Sequence, residues 1–258
     1  MKPGAILVLA REPSPGRVKT RLSPPLSPDS AARLYEAFLE DVLERAGRVP
    51  GVEVILLSEE ERADAPRLVA IARAAGVPFS SQRGADLGAR LRAGLAEALS
   101  EPRPHAIALG ADHPTLPAAL LGEMAARLAG GAAAAIIPSE DGGYCAIGFR
   151  SPLADVFTAI PWSTPRVLEA TLDALRRHGI APALLPAWRD IDTPSDLARL
   201  ASEIAALDPG HEDFPTATAR VLRATLVRRE PRGSEAGTGS VVGGATPRIS
   251  PIPKGVDP

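Results

Sequence analysis

Short apolar runs alternate along most of the chain with stretches in which apolar residues recur every three or four positions. Residues 5–10 form the first unbroken apolar run and 52–57 the second, both short enough to be buried strands. Between them Ser27 precedes Pro28, the order of an N-cap followed by proline at the first helical position. Ala31, Leu34, Phe38 and Val42 then share one helical face, and Gly47 is the expected stop. The same patterning predicts helices over 62–75, 87–99, 117–128, 164–178 and from 194 to about 206, and strands over 78–82, 105–109, 132–137, 144–148 and 182–185. Thr164, followed by Pro165, is the expected cap of one late helix, and Thr193 and Asp196 form the capping box of the other.

Strand–helix alternation of this kind predicts an α/β protein: a mostly parallel, Rossmann-like sheet in three layers, with helices on both faces. Ligands of such folds bind beyond the carboxyl ends of the strands, so the loops that follow strands are where chemistry is expected. The globular domain is expected over 1–227. In 228–258, Gly and Pro fill 11 of 31 positions and no aromatic occurs, the composition of a disordered tail.

Composition removes several functions. Of 258 residues, 45% are apolar and 23% charged, as in ordinary soluble proteins. Lys and Arg number 29 against 31 Asp and Glu, so no overall field attracts nucleic acid or an anionic membrane. Aromatics at 3% are too few for a surface that stacks single-stranded bases. The lone cysteine, Cys145, excludes an internal disulfide and a multi-thiolate zinc site, and its apolar neighbours make it a structural thiol. The first apolar run is too short for a signal peptide and nothing approaches a membrane span, so a cytoplasmic protein is expected.

Candidate chemistry lies in six segments. After the first strand, Arg11, Arg17, Lys19 and Arg21 sit in a Pro/Gly-rich loop, suited to phosphates or simply solvated. Asp112 follows the strand over 105–109 and either caps the next helix or holds a divalent cation on phosphate oxygens; its neighbour His113 reads as a polar loop residue. Asp190 and Asp192 alternate in extended backbone before a helix start, which points both carboxylates to one side; they either simply cap that helix or meet a cation that relieves their repulsion. Asp141, in Glu140-Asp141-Gly142-Gly143, either makes a hairpin turn or faces a substrate. Gln82, Gly84, Asp86 and Gly88 lie on a polar turn that contacts a nucleoside or merely starts a helix, and Trp162 lines a pocket or packs in the core.

Taken together and in order, these segments resemble a bacterial family described as radical-SAM- or selenodomain-associated transferases, some labelled arsenosugar-biosynthesis glycosyltransferases. The resemblance rests on Pro15 to Leu22, Ala37 to Asp41, Gly110 to Leu116, Asp141 to Tyr144, Pro161 to Thr164 and Asp190 to Pro194, and covers roughly residues 5–204. It implies the nucleotide-diphospho-sugar transferase (GT-A) fold. It also implies Mg2+ or Mn2+ held by Asp112, Asp190 and Asp192. Arg17, Lys19 and Arg21 would meet the phosphates, and Gln82, Gly84, Asp86 and Gly88 the nucleoside. Asp141 would be the general base and, with Trp162, would lie on the acceptor side. Residues 19–43 also look like 2-phospho-lactate guanylyltransferases of the same fold, although the chain departs from them after Asp112 and at Gly142–Tyr144. A metal-dependent glycosyltransferase using a nucleotide sugar and a small-molecule acceptor is therefore the first expectation. A nucleotidyltransferase acting on a nucleoside triphosphate is the second, and a nucleotide-binding protein without turnover the third.

Overall fold

Residues 4–10 are almost entirely apolar and buried, which suits a strand packed on both faces, and β1 (Gly4–Ala10) lies inside the sheet. A computed structural model describes residues 3–100, 102–151 and 153–227. The tail expected at 228–258 lies outside the described residues. Around β1 the other strands are β2 (Val52–Ser58), β3 (Phe79–Ser81), β4 (Ala106–Gly110), β5 (Ala134–Pro138), β6 (Tyr144–Phe149) and β7 (Ala183–Leu184). They form one seven-stranded sheet in the order β3-β2-β1-β4-β6-β5-β7. Pairs β1–β2, β1–β4, β2–β3 and β5–β7 are parallel, and β6 runs antiparallel to both β4 and β5. The expected mostly parallel α/β sheet is present, and the reversed β6 follows from its short hairpin with β5.

The helices are α1 (Pro28–Gly47), α2 (Pro66–Ala75), α3 (Leu87–Ser100), α4 (Ala118–Ala129), α5 (Val167–Arg177), α6 (Pro194–Ala206) and α7 (Thr216–Val227). One face of the sheet packs on α1, α2 and α4 through Ile6, Leu56, Leu39, Leu68 and Met124, and the other on α3 and α5 through Leu7, Ala108, Leu95 and Leu175. A third cluster joins α1, α6 and α7 through Phe38, Ile191, Leu200 and Leu222.

Caps explain several boundaries. Ser27 accepts the Ser30 N–H at 3.2 Å, and Thr193 with Asp196 makes the expected capping box. Two expectations need correction. Residues 62–75 are not one helix: a single 3-10 turn, Arg62–Asp64, precedes α2, because Pro66 lacks the N–H to continue and starts a new helix instead. Thr164 does not cap α5, which begins at Val167 after Arg166; the Thr164 hydroxyl donates to the Pro161 carbonyl at 2.7 Å and so closes its own turn. The helix α7 was not expected from the pattern.

Candidate functional site

The carboxyl ends of β1, β4 and β5 and the amino end of β6 open on one side of the sheet, and the six candidate segments gather there. Lys19 anchors the first. It is in left-handed backbone (φ +48°) immediately before a 3-10 turn, Thr20–Leu22, and Leu22 plugs the core beneath it. That turn aims the side chain inward, where Nζ lies 2.7 Å from Asp112 Oδ1 and 2.7 Å from Asp192 Oδ1. The ammonium also lies 5.8 Å from the centre of the Phe38 ring. Burial alone would lower its pKa, but Asp112 and Asp192 outweigh burial and raise it, so the cation is secured.

Asp112 is placed by the end of β4, and the loop is pinned to the later acidic segment. The Ile191 N–H donates to the Asp112 carbonyl at 3.2 Å, and His113 Nδ1 donates to the Arg189 carbonyl at 3.1 Å. His113 is thus a buried strut between two loops, where a polar loop residue was expected. Ile191 faces the core, so its neighbours Asp190 and Asp192 share the opposite side, as the alternation implied. They then diverge. Asp192 meets Lys19, with Arg21 at 3.8 Å from its other oxygen, whereas Asp190 accepts the Ser139 hydroxyl at 3.2 Å. Desolvation, with Asp141 and Asp192 nearby, pushes the Asp190 carboxyl up to about 6. Desolvation also acts on Asp192, but Lys19 reverses it and holds that carboxyl below its ordinary range.

Two chambers meet at this cluster. The first, about 680 Å³, runs from Arg11, Arg17 and Tyr35 to Gln82 and Asp86. The second, about 690 Å³, is walled by Asp141, Tyr144, Trp162 and Asp190. Arg21, Asp112, Ser163 and Asp192 border both. Ser163 has φ +62°, rare for a residue with a side chain, at the junction itself.

The polar turn expected to meet a nucleoside has a larger structural share than its sequence implied. The Gln82 amide donates to the Leu57 carbonyl at 2.9 Å, and Asp86 accepts the Ala89 N–H at 2.8 Å as the cap of α3. Gln82 and Asp86 still face the first chamber, but Gly84 and Gly88 border neither. Gly88 lets α3 approach the next segment closely: a Cβ there would lie 2.8 Å from the Phe157 carbonyl and 2.9 Å from Trp162 Nε1. Trp162 is half-buried, edge-on to Tyr144 and stacked on Phe157, so it is both core and wall. Asp141 accepts the Gly143 N–H at 2.9 Å in the expected tight turn, and Gly142 (φ +91°) docks that turn so closely on Pro165 that no side chain fits.

Other residues of the site gave weaker signals. Tyr35 accepts the Arg11 N–H at 3.1 Å and forms part of the first chamber's wall; in sequence it is one more apolar position on α1. Glu59 pairs with Arg11 and Arg90 and so ties the cationic loop to α3. One countable signal did mark Lys19: the chain has three lysines among its 29 Lys and Arg, and Lys19 is the one that falls in a candidate segment.

Residues 42–164 match the family model described as an uncharacterized protein conserved in bacteria (DUF2064). That span includes the Asp112 and Asp141 loops and excludes Lys19, Asp190 and Asp192. The phosphoenolpyruvate guanylyltransferase of Nocardia farcinica is 30% identical over 212 residues, covering 77% of this chain and 86% of that protein. The crystal structure of a putative nucleotide-diphospho-sugar transferase from Desulfovibrio desulfuricans G20 superposes with a TM-score of 0.78 at 30% identity, covering 88% of this chain and 96% of that one. A cytidylyltransferase from Leptospira borgpetersenii shares the fold at a TM-score of 0.53 and 20% identity, covering 88% of this chain and 96% of that one. The expected nucleotide-diphospho-sugar transferase fold is therefore present. These comparisons do not show a radical-SAM or arsenosugar association.

Proposed function

This chain belongs to the DUF2064 family of bacterial proteins, and from that premise we propose that it is a nucleotidyltransferase, joining the nucleotidyl group of a nucleoside triphosphate to a small acceptor and releasing pyrophosphate. It is an enzyme of the transferase class, as its relatives are named. The observation that carries the reading is the cation and carboxylate cluster of Lys19, Asp112 and Asp192 at the mouth shared by two chambers. A triphosphate lying across that mouth puts its nucleoside in the first chamber and its α-phosphorus before the second. The guanylyltransferase relative, which matches 77% of the chain, supports nucleotidyl transfer as the first reading.

A divalent cation is part of the expectation. Among the described residues no group of three or more His, Cys, Asp or Glu is arranged to hold a metal, so the three-carboxylate set of Asp112, Asp190 and Asp192 is not assembled here. Asp112 and Asp192 alone do suit magnesium, which takes one or two carboxylates and completes its shell with substrate phosphates. They already share one cation, and their side chains remain 41% and 34% exposed toward the chambers. Bound between them, the ion would supply positive charge against the leaving pyrophosphate.

The chain's own residues do the rest. Arg11, Arg17 and Arg21 bind phosphate oxygens, and Lys19 neutralises charge that builds on the leaving group. Gln82, Asp86 and Tyr35 border the nucleoside. Asp141 and Trp162 orient the acceptor, whose oxygen attacks the α-phosphorus as the bond to the β-phosphate breaks, with Asp141 taking a proton where the acceptor carries one.

The test incubates the full chain and Mg2+ with each nucleoside triphosphate and phosphoenolpyruvate, and separately with nucleotide sugars and a panel of hydroxyl acceptors. Acceptor-dependent pyrophosphate release is the expected result. Nucleoside diphosphate release from a nucleotide sugar, without pyrophosphate from any triphosphate, would establish the second reading, a glycosyltransferase. That reading is favoured by the Desulfovibrio structure, itself described as a putative nucleotide-diphospho-sugar transferase. Tight nucleotide binding with neither product would leave only the third, a binding protein.

A further inference from the structure

Lys19 lies between two carboxylates. Its ammonium lies 2.7 Å from one oxygen of each of two carboxylates that come from the ends of different loops. Two such carboxylates held together repel unless a cation lies between them. The lysine side chain is only 4% exposed, although it borders the first chamber. Its backbone adopts the left-handed conformation that ordinary residues avoid, which a merely solvated lysine would not need. The choice of lysine is also unusual for this chain, where 26 of the 29 basic residues are arginine. A guanidinium is a planar fork suited to one carboxylate or phosphate, whereas an ammonium is a compact point charge on a flexible stem, closer in size and charge distribution to a bare ion.

From this geometry we propose that Lys19 is the resident counter-ion of the metal site. In the free protein its ammonium occupies the position between Asp112 and Asp192 that a divalent cation takes in the nucleotide complex, and it swings to the incoming phosphates when the two ligands arrive together. This inference rests on the nucleotidyltransferase reading for the identity of the second ligand. Its physical basis is the cost of stranding a buried charge. A metal ion entering alone would displace the ammonium into an interior without a partner. A triphosphate supplies the replacement partner through charge-assisted hydrogen bonds. Metal and nucleotide then bind with positive coupling, and each raises the affinity of the other by the same factor.

Two measurements test this on the full chain. In the first, Mn2+ is titrated without nucleotide and free Mn2+ is followed by electron paramagnetic resonance. Lys19→Met is expected to bind Mn2+ at least tenfold more tightly than wild type, and Lys19→Met with Asp112→Asn to lose that gain. Equal dissociation constants for wild type and folded Lys19→Met would overturn the proposal. In the second, which needs no change at Lys19, Lys2 and Lys254 are replaced by arginine and the chain is grown on 13Cε-lysine, leaving one lysine signal. That signal is expected to stay in place with Mg2+ alone and to shift when Mg2+ and a non-transferable α,β-methylene triphosphate are added together. A signal that moves with millimolar Mg2+ alone, or stays put in the ternary complex, would overturn it. Neither measurement reads nucleotidyl transfer, so the fate of Lys19 and the release of pyrophosphate are judged separately.

Discussion

Two buried cations, Lys19 and Arg45, each sit between a pair of aspartates, and only one pair faces a cavity. Arg45 on α1 donates to the Asp41 carbonyl at 3.2 Å and to the Asp213 carbonyl at 2.6 Å, with its Nε 3.8 Å from the Asp213 carboxylate. The carboxylate oxygens of that pair are committed to backbone. Asp41 accepts the N–H groups of Ala217 and Thr218 at 3.0 and 2.8 Å, which starts α7, and Asp213 accepts the Ala118 N–H at 3.2 Å, which starts α4. Around Lys19 the same charges leave oxygens pointing at solvent-filled space. A buried cation with two acids is thus no mark of function in itself. What separates a staple from a site is whether the acids have capacity left and where it points.

The contrast can be broken most forcefully at Arg45. Arg45→Met keeps the stem but strands Asp213 in the interior, and removing one member of a buried ion pair typically costs about 3–5 kcal/mol. Urea unfolding should show that loss, with kcat/KM of the folded fraction unchanged; a fall in kcat/KM without loss of stability would mean the two clusters are not functionally distinct. The converse change is Asp112→Asn. It should lower kcat/KM by about 100- to 1000-fold, the range for removing one charge-stabilising group. Stability should move by less than about 1 kcal/mol, because the residue is partly exposed and Lys19 keeps Asp192.

A smaller effect is expected at Asp41→Ala. It leaves two buried N–H groups of α7 without an acceptor, at about 1–3 kcal/mol, and hydrogen exchange should accelerate in α7 before the sheet. The finest distinction is the sign of a pH dependence. Desolvation raises the Asp41 carboxyl above its ordinary value despite the N–H groups it accepts, so the unfolded chain releases that proton first as pH rises. Wild type should therefore lose stability relative to Asp41→Asn between the ordinary carboxylate range and the raised native one, by at most about 1.4 kcal/mol per pH unit. Asp192, held low by Lys19 against desolvation, has the opposite sign: its contribution is present at neutral pH and is lost as pH falls through its native value. Matching slopes for the two aspartates in urea midpoints from pH 3 to 7 would mean that the two clusters do not differ in this way.

How legible each cluster was follows from where its information lies. Asp112, Asp190 and Asp192 were readable because each follows a recognisable strand or precedes a recognisable cap, and α/β sheets put such loops on one side. Lys19 was readable as one of four cations in a loop, but nothing in that spacing distinguishes the one that turns inward. Arg45 looks like the polar face of an ordinary amphipathic helix, and Asp41 lies in one of the segments that carry the family resemblance but suggested no contact of its own. They are buried because α7 covers them, and α7 itself has too few strongly apolar positions for its pattern to announce it. Gly84 and Gly88 read as part of a turn that contacts a nucleoside or merely starts a helix, and α3 needs them for its close approach to neighbouring backbone.

Local chemistry was sufficient for the strands, most helices, the capping box at Thr193 and the side of the sheet on which function gathers. Those features depend on residues within a few positions of one another, where hydrophobic period and hydrogen-bonding capacity act directly. The meeting of Lys19 with acids 93 and 173 positions away, the different partners of Asp190 and Asp192 and the burial of Arg45 were settled only when the helices packed. Burial changes the value of a charge by excluding water, and which charges lose their water is a property of the assembled layers.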